Sequence, residues 1–224
     1  LCGDRLGETD THMKLKVRLQ LSTGMFLQFF AWGTWYVTLG TYLSTLGFGG
    51  TDIGDAYSAA AWAALVSPFF VGLIADRFFA AQRVLGLLHL AASACLFWVS
   101  TLTDPTAFFF GLLLMMLCYM PTVALTNAVC FHQMSDAGSE FPTVRVFGTI
   151  GWIAAGWLVG MLGIESTALP MKIAACASVL TGVFAFFLPH TPPRARRTRD
   201  APARSGQSPS GVLLSRRWWA ARAP

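Results

Sequence analysis

The sequence predicts an all-α membrane protein: six transmembrane helices forming one bundle, with both termini cytoplasmic. Three observations carry this. The 224-residue chain is 54% hydrophobic and 12% charged, about half the charged fraction of an ordinary soluble domain. Its charges bracket uncharged runs: Arg18 to Asp52, Asp55 to Asp76, Arg83 to Asp104, Asp104 to Asp136, Arg145 to Glu165 and Lys172 to Arg194. Each run offers about 20 residues or more, the length a helix needs to cross the hydrocarbon core. The runs lack strand alternation, and lipid demands a self-satisfied backbone, so helices are expected rather than a barrel. Third, the basic residues alternate in side. Lys14, Lys16 and Arg18 precede the first run, Arg77 and Arg83 follow the second, Arg145 opens the fifth, and an arginine cluster follows the sixth. The opposite loops carry no Lys or Arg except Lys172, at the start of the sixth run. By the positive-inside rule both termini face the cytoplasm. The net charge of +5 therefore reports topology and not nucleic-acid binding.

Spans are expected at roughly 19–46, 54–75, 84–102, 106–132, 143–163 and 169–188. Residues 1–12 read as a disordered leader, or as translated upstream sequence ahead of a start at Met13. The first span is no cleaved signal peptide, because its uncharged run is too long and no small-residue cleavage site followed by soluble chain appears. Within it, Gln28, Trp32 and Trp35 recur at helical spacing, while Gly33, Thr34, Thr38, Gly40 and Thr41 thin the helix. A glutamine in lipid needs a partner, so Gln28 faces either a neighbouring helix or a polar cavity.

The second span ends in Gly72-Leu-Ile-Ala-Asp76-Arg77, with Arg83 six residues on. An aspartate at a helix C-terminus opposes the macrodipole and calls for a cationic or N–H partner. The third span holds His89, expected as a packed or hydrogen-bonded residue. In the fourth, Pro121 frees a backbone carbonyl, and Asn127, the only asparagine in the chain, either bridges helices or meets solute. Gly156 and Gly160 in the fifth form a small-x-x-x-small face suited to close helix contact. From residue 194 the composition turns to Arg, Ala, Pro and Ser, read as a basic disordered cytoplasmic tail or a frameshifted reading.

The chemistry-bearing sets of enzymes are missing from the pattern. Five cysteines and four histidines form no CxxC, no HExxH and no Cys/His cluster, and no GxSxG occurs. Neither metal, cofactor nor catalysis is expected. The stretch with most chemistry is Phe141 to Trp152, FPTVRVFGTIGW. It places Arg145 at the head of an apolar helix, with Thr149 and Trp152 four and seven residues on, all on one face. A guanidinium, a hydroxyl and a π-surface in one stripe suit a flat polar solute. From spacing alone, the plainer reading is Arg145 as a cytoplasmic flank and Trp152 as packing.

The G-x-x-x-D-R pattern resembles the loop signature of the major facilitator superfamily. It departs from that signature after Arg77, where Phe78-Phe79-Ala80-Ala81-Gln82 replaces the usual Gly/Arg-rich turn. Collinear strings across residues 13–193 narrow the resemblance: FLQFFAWGTWYVTLGTYL, GTDIGDAYS, GLIADR, YMPTVALTN, FPTVRVFGTIGW and FLPHTPP. They resemble the nucleoside:proton symporters, the nucleoside-permease branch of that superfamily, whose members have two six-helix bundles. The resemblance implies the N-terminal bundle of such a transporter in a bacterial inner membrane. Its substrates would be a nucleoside, for example uridine, and a proton, and its partner the missing C-terminal bundle or a second copy.

By the same resemblance, Arg145, Thr149 and Trp152 line the nucleoside site; Gln28, Trp32 and Asn127 are expected as its cavity neighbours from helix position alone. Trp152 stands where phenylalanine is expected, which keeps a stacking surface and narrows the pocket. Gly72, Asp76, Arg77 and Arg83 would form a cytoplasmic gating latch. No Asp or Glu lies deep in a span, so the proton-carrying group is expected in the other half. A related carrier of sugar or another polar solute, or a non-transporting membrane scaffold or fragment, are the alternatives.

Overall fold

The computed structural model describes residues 14–70 and 80–191. Over these residues it is all helical: α1 (Leu15–Tyr36), α2 (Leu39–Thr45), α3 (Gly50–Phe70), α4 (Ala81–Val99), α5 (Pro105–Gln133), α6 (Ala137–Leu162) and α7 (Leu169–Ala185). Among the described residues, α4, α5 and α6 are long and apolar enough to cross a membrane. The helices pack side by side, α1 against α6 and α7, α4 against α5 and α7, and α3 against α5.

Helix starts follow local chemistry. Asp104 caps α5 by accepting the Ala107 N–H at 2.8 Å, with Pro105 in the first turn where its missing N–H costs nothing. Asp136 caps α6 through the Gly138 N–H at 3.0 Å. α4 has no side-chain cap. Its first N–H, from Ala81, goes instead to the Thr191 carbonyl at 3.1 Å, and Thr191 N–H returns to Gln82 Oε1 at 3.0 Å. The segment after α7 thus supplies the missing cap.

Three expectations are corrected. The first span, expected as 19–46, is two helices interrupted at Val37 and Thr38. The interruption has a cause: Thr34 bonds back to the Phe30 carbonyl at 2.6 Å, a contact that bends helices, and a tyrosine from α3 enters the ladder just beyond. α6 begins at Ala137 rather than 143, because the Asp136 cap starts it early. Arg145 therefore lies two turns inside the helix and not at its head. Gly156 and Gly160 are exposed, and an added Cβ would meet nothing at Gly156 and only Glu165 Oε1, at 3.8 Å, at Gly160.

Close helix contact falls on other glycines. A Cβ at Gly151 would collide with the Phe26 carbonyl, and one at Gly33 would come within 3.2 Å of the Trp152 backbone, so α1 and α6 cross almost backbone to backbone. α4 and α7 do the same through a reciprocal pair: a Cβ on Gly86 would reach 2.9 Å from the Gly182 carbonyl, and one on Gly182 3.0 Å from that of Gly86. Small residues at such crossings are how helices approach without a hydrophobic drive.

Candidate functional site: an arginine and an aromatic cluster where α1 and α6 cross

The α1–α6 crossing sets the geometry. The Arg145 guanidinium lies 4.1 Å above the ring of Phe29, on α1. Among the described residues no carboxylate pairs with it. Arg145 is half-buried while Phe29 is buried. A cation over an aromatic face is held there without spending its N–H fork, so the donors of Arg145 stay available.

Two turns along α6, Trp152 packs edge-on against Trp32, with ring centres 5.5 Å apart at 80°. Trp32 is the centre of the cluster. It also meets Phe29 at 6.2 Å, Tyr36 at 5.6 Å and Tyr119 of α5 at 5.9 Å, and Tyr36 in turn meets Trp152 at 6.2 Å. Among the described residues, Trp32 Nε1 is the one buried side-chain nitrogen or oxygen without a hydrogen-bond partner. An orphan donor of this kind costs about 1–3 kcal/mol, so the cluster keeps an N–H unspent on the neighbour of Phe29, the ring under the arginine.

Behind the cluster lies a buried polar network. Thr122 gives its hydroxyl hydrogen to the Tyr119 carbonyl at 2.6 Å, so its oxygen accepts from Gln28 Nε2 at 2.8 Å. This fixes the amide orientation: Gln28 Oε1 points the other way and accepts from Thr126 at 3.2 Å and from His89 Nε2 at 2.7 Å. His89 therefore carries its hydrogen on Nε2, and its Nδ1 accepts from Ser178 at 3.0 Å. The Tyr119 hydroxyl donates to the Gln28 carbonyl. Gln28 and His89 are 1% and 0% exposed. Four helices, α1, α4, α5 and α7, meet in this network, and every polar atom of Gln28 is used.

Of the residues expected at a site, Arg145, Trp152 and Trp32 come together. Thr149 shares their helix face and is exposed, with no hydrogen bond among the described residues. Gln28 sits one layer deeper as a bridge between helices, and His89 is hydrogen-bonded as expected. Asn127 is half-buried and makes no bridge among the described residues, so its amide is unspent. Arg83 is exposed in the first turn of α4. Gly72, Asp76 and Arg77 lie outside the described residues. Sequence reasoning missed Phe29, Tyr36 and Tyr119. The first two were open to it, since Phe29, Trp32 and Tyr36 stand at helical spacing on one face.

A family profile described as nucleoside H+ symporter matches residues 13–214. The chain is 44% identical to YegT of Escherichia coli (strain K12) over 193 residues, covering 83% of this chain and 45% of that protein. It is 39% identical to the xanthosine permease of Escherichia coli (strain K12) over 183 residues, covering 80% and 44%. The crystal structure of the nucleoside transporter NupG superposes with a TM-score of 0.76 at 35% identity, covering 89% of this chain and 49% of that one. The chain spans about half the length of the curated relatives it matches.

Proposed function

Since the chain belongs to the nucleoside H+ symporter family, a family of transporters and not of enzymes, we propose that it forms the N-terminal six-helix bundle of a nucleoside:proton symporter of the major facilitator type. It would lie in a bacterial inner membrane with both termini cytoplasmic. α1 and α2 together make the first span, and α3 to α7 the other five. Transport proceeds by alternating access, this bundle rocking against a second six-helix bundle about a midplane site. That second bundle is a C-terminal half or another copy, and it carries the proton-coupling group.

The observation that supports this best is the Arg145 fork, unpaired among the described residues and held over Phe29, two turns from Trp152. Arg145 and Thr149 hydrogen-bond ribose hydroxyls or base carbonyls, and Trp152 supplies the stacking surface. The Trp32 N–H and the Asn127 amide are further donors on the cavity side. Gln28 acts from behind by fixing α1 against α4 and α5. Gly72, Asp76, Arg77 and Arg83 form the cytoplasmic latch. The test is uridine uptake by a full-length protein carrying this bundle. Arg145→Ala is expected to abolish uptake, and unchanged uptake would remove Arg145 from the site. A sugar that competes where uridine does not would replace the nucleoside as substrate.

A further inference from the structure

The break between α1 and α2 is built around one hydroxyl from a third helix. In an uninterrupted helix the Gly40 N–H would bond the Tyr36 carbonyl directly. Here the Gly40 N–H donates to the Tyr57 hydroxyl at 3.0 Å, and that hydroxyl donates to the Tyr36 carbonyl at 3.1 Å. The phenol of α3 is therefore spliced into the backbone ladder of the first span, one of the few ways a helix acquires a sharp break. Residue 40 is suited to it: a Cβ there would come within 3.4 Å of the Tyr57 hydroxyl.

The same tyrosine touches the candidate site through one intermediary. The Tyr57 ring stands edge-on to Tyr36 at 5.2 Å and 84°, and Tyr36 stands edge-on to Trp152 at 6.2 Å and 61°. On the other side of the break, α2 buries Leu39, Tyr42 and Leu43 and exposes Thr41 and Ser44. At its far end the Thr45 hydroxyl donates to the Tyr42 carbonyl at 2.6 Å, within α2, and lies 3.1 Å from the Ser166 carbonyl of the α6–α7 connection. The arm is thus held by its buried face, with the Tyr57 hydroxyl at one end and the Thr45 hydroxyl at the other.

We propose that Tyr57 is a positioning residue of the nucleoside site, acting through this break: its hydroxyl is an exchangeable rung that sets the tilt of α2 and the seat of Tyr36 against Trp152. With the hydroxyl inserted, the helix is broken and Tyr36 is fixed edge-on to Trp152. With it withdrawn, the Gly40 N–H reaches the Tyr36 carbonyl, the two helices join, and the Tyr36 ring is released. Each arrangement satisfies the Gly40 donor, so the two differ little in backbone hydrogen bonding, which is what a two-state element requires. A nucleoside stacked on Trp152 favours whichever seat of Tyr36 it fits better, and α2 reads that choice at the mouth of the bundle. Tyr57 itself does not touch the nucleoside. The inference rests on the reading of Arg145 and Trp152 as the nucleoside site.

The experiment uses the full-length protein in liposomes, with Cys2 and Cys176 replaced by serine and spin labels at Ser44→Cys on α2 and Thr103→Cys ahead of α5. Tyr57→Phe keeps the ring against Tyr36 and removes the rung. The expected result has two parts. The distance distribution between the labels broadens without any nucleoside, and maximal uridine uptake falls about tenfold while KM moves less than twofold. Gly40→Ala, which crowds the hydroxyl from the other side, is expected to broaden the distribution in the same way. An unchanged distribution in Tyr57→Phe overturns the proposal, and so does a rise in KM at unchanged maximal rate, which would make Tyr57 a substrate contact. Because the distance readout needs no substrate, a protein that binds no nucleoside yet broadens on Tyr57→Phe would overturn the site reading and leave the hinge standing.

Discussion

Gln28 Oε1 and His89 Nε2 meet at 2.7 Å in the interior of the bundle, and this pair decides how four helices are held. The amide spends both ends, one on Thr122 and the other on His89 and Thr126. Away from water each of these bonds is costly to lose, because the stranded partner has no substitute.

Gln28→Leu is therefore expected to destabilise the bundle by about 2–4 kcal/mol, from two or three stranded polar groups at about 1–3 kcal/mol each with partial relaxation. His89→Leu on top of it should cost less than the two changes taken separately. Thermal unfolding of the four variants in detergent, treated as a double-mutant cycle, gives the coupling. A coupling of zero would mean that the network is not cooperative.

Arg145→Lys tests whether the fork or only the charge matters. Lysine keeps a cation near Phe29 but loses the planar donor pair. Equilibrium binding of uridine, followed by tryptophan quenching, is expected to weaken at least tenfold in Arg145→Lys. The melting temperature should stay within a few degrees, since Arg145 makes no ion pair among the described residues. Equal affinity in both proteins would reduce the arginine to a point charge.

Gly86→Leu and Gly151→Leu both place a side chain where a neighbouring backbone already stands. Each is expected to cost about 3 kcal/mol or more, the upper end of overpacking. Gly156→Leu, with nothing within 4 Å of its added Cβ, should be within about 0.5 kcal/mol of wild type. Fluorescence-detected melting of the three variants ranks them, and a Gly156→Leu as damaged as Gly151→Leu would contradict the α1–α6 crossing.

Asp136 gives a pH dependence of known sign. The Ser139 hydroxyl at 2.7 Å, with the Gly138 N–H, holds its carboxyl below the usual carboxylate range. Its folded pKa is lower than its unfolded one, so its contribution is complete above the unfolded value, about 3.9, and is lost as pH falls through the folded value. Asp136→Ala should thus be less stable than wild type at pH 6, and the gap should narrow as pH falls toward 2. Unfolding of both proteins at the two pH values checks this, and a gap undiminished at pH 2 would point to some other role for the residue.

The positions of α4, α5 and α7 could be read from charge spacing, because lipid leaves few alternatives for long uncharged runs. The break in the first span could not, since it depends on Tyr57, a residue from another helix, entering the ladder between Tyr36 and Gly40. Arg145, Trp152 and Trp32 were legible because they stand on two periodic helix faces that happen to cross. Gln28 was legible only as a choice between cavity and bridge. The bridge it makes runs to His89 and Thr122, 61 and 94 residues away, which no local pattern joins to it. The glycines followed the same rule: Gly156 and Gly160 have the expected spacing, yet Gly86 pairs with Gly182 on another helix.

The buried network also orders events during synthesis. Gln28 leaves the ribosome long before His89, Thr122 or Ser178, so α1 enters the bilayer with an amide that nothing in its own helix can satisfy. Its hydrogen bonds close only after α4 and α5 have arrived, and His89 receives its second partner only with α7. α1, made before its partners, is consequently among the last helices to be locked, and it depends on other help, from water, lipid headgroups or the insertion machinery, until α7 is in place.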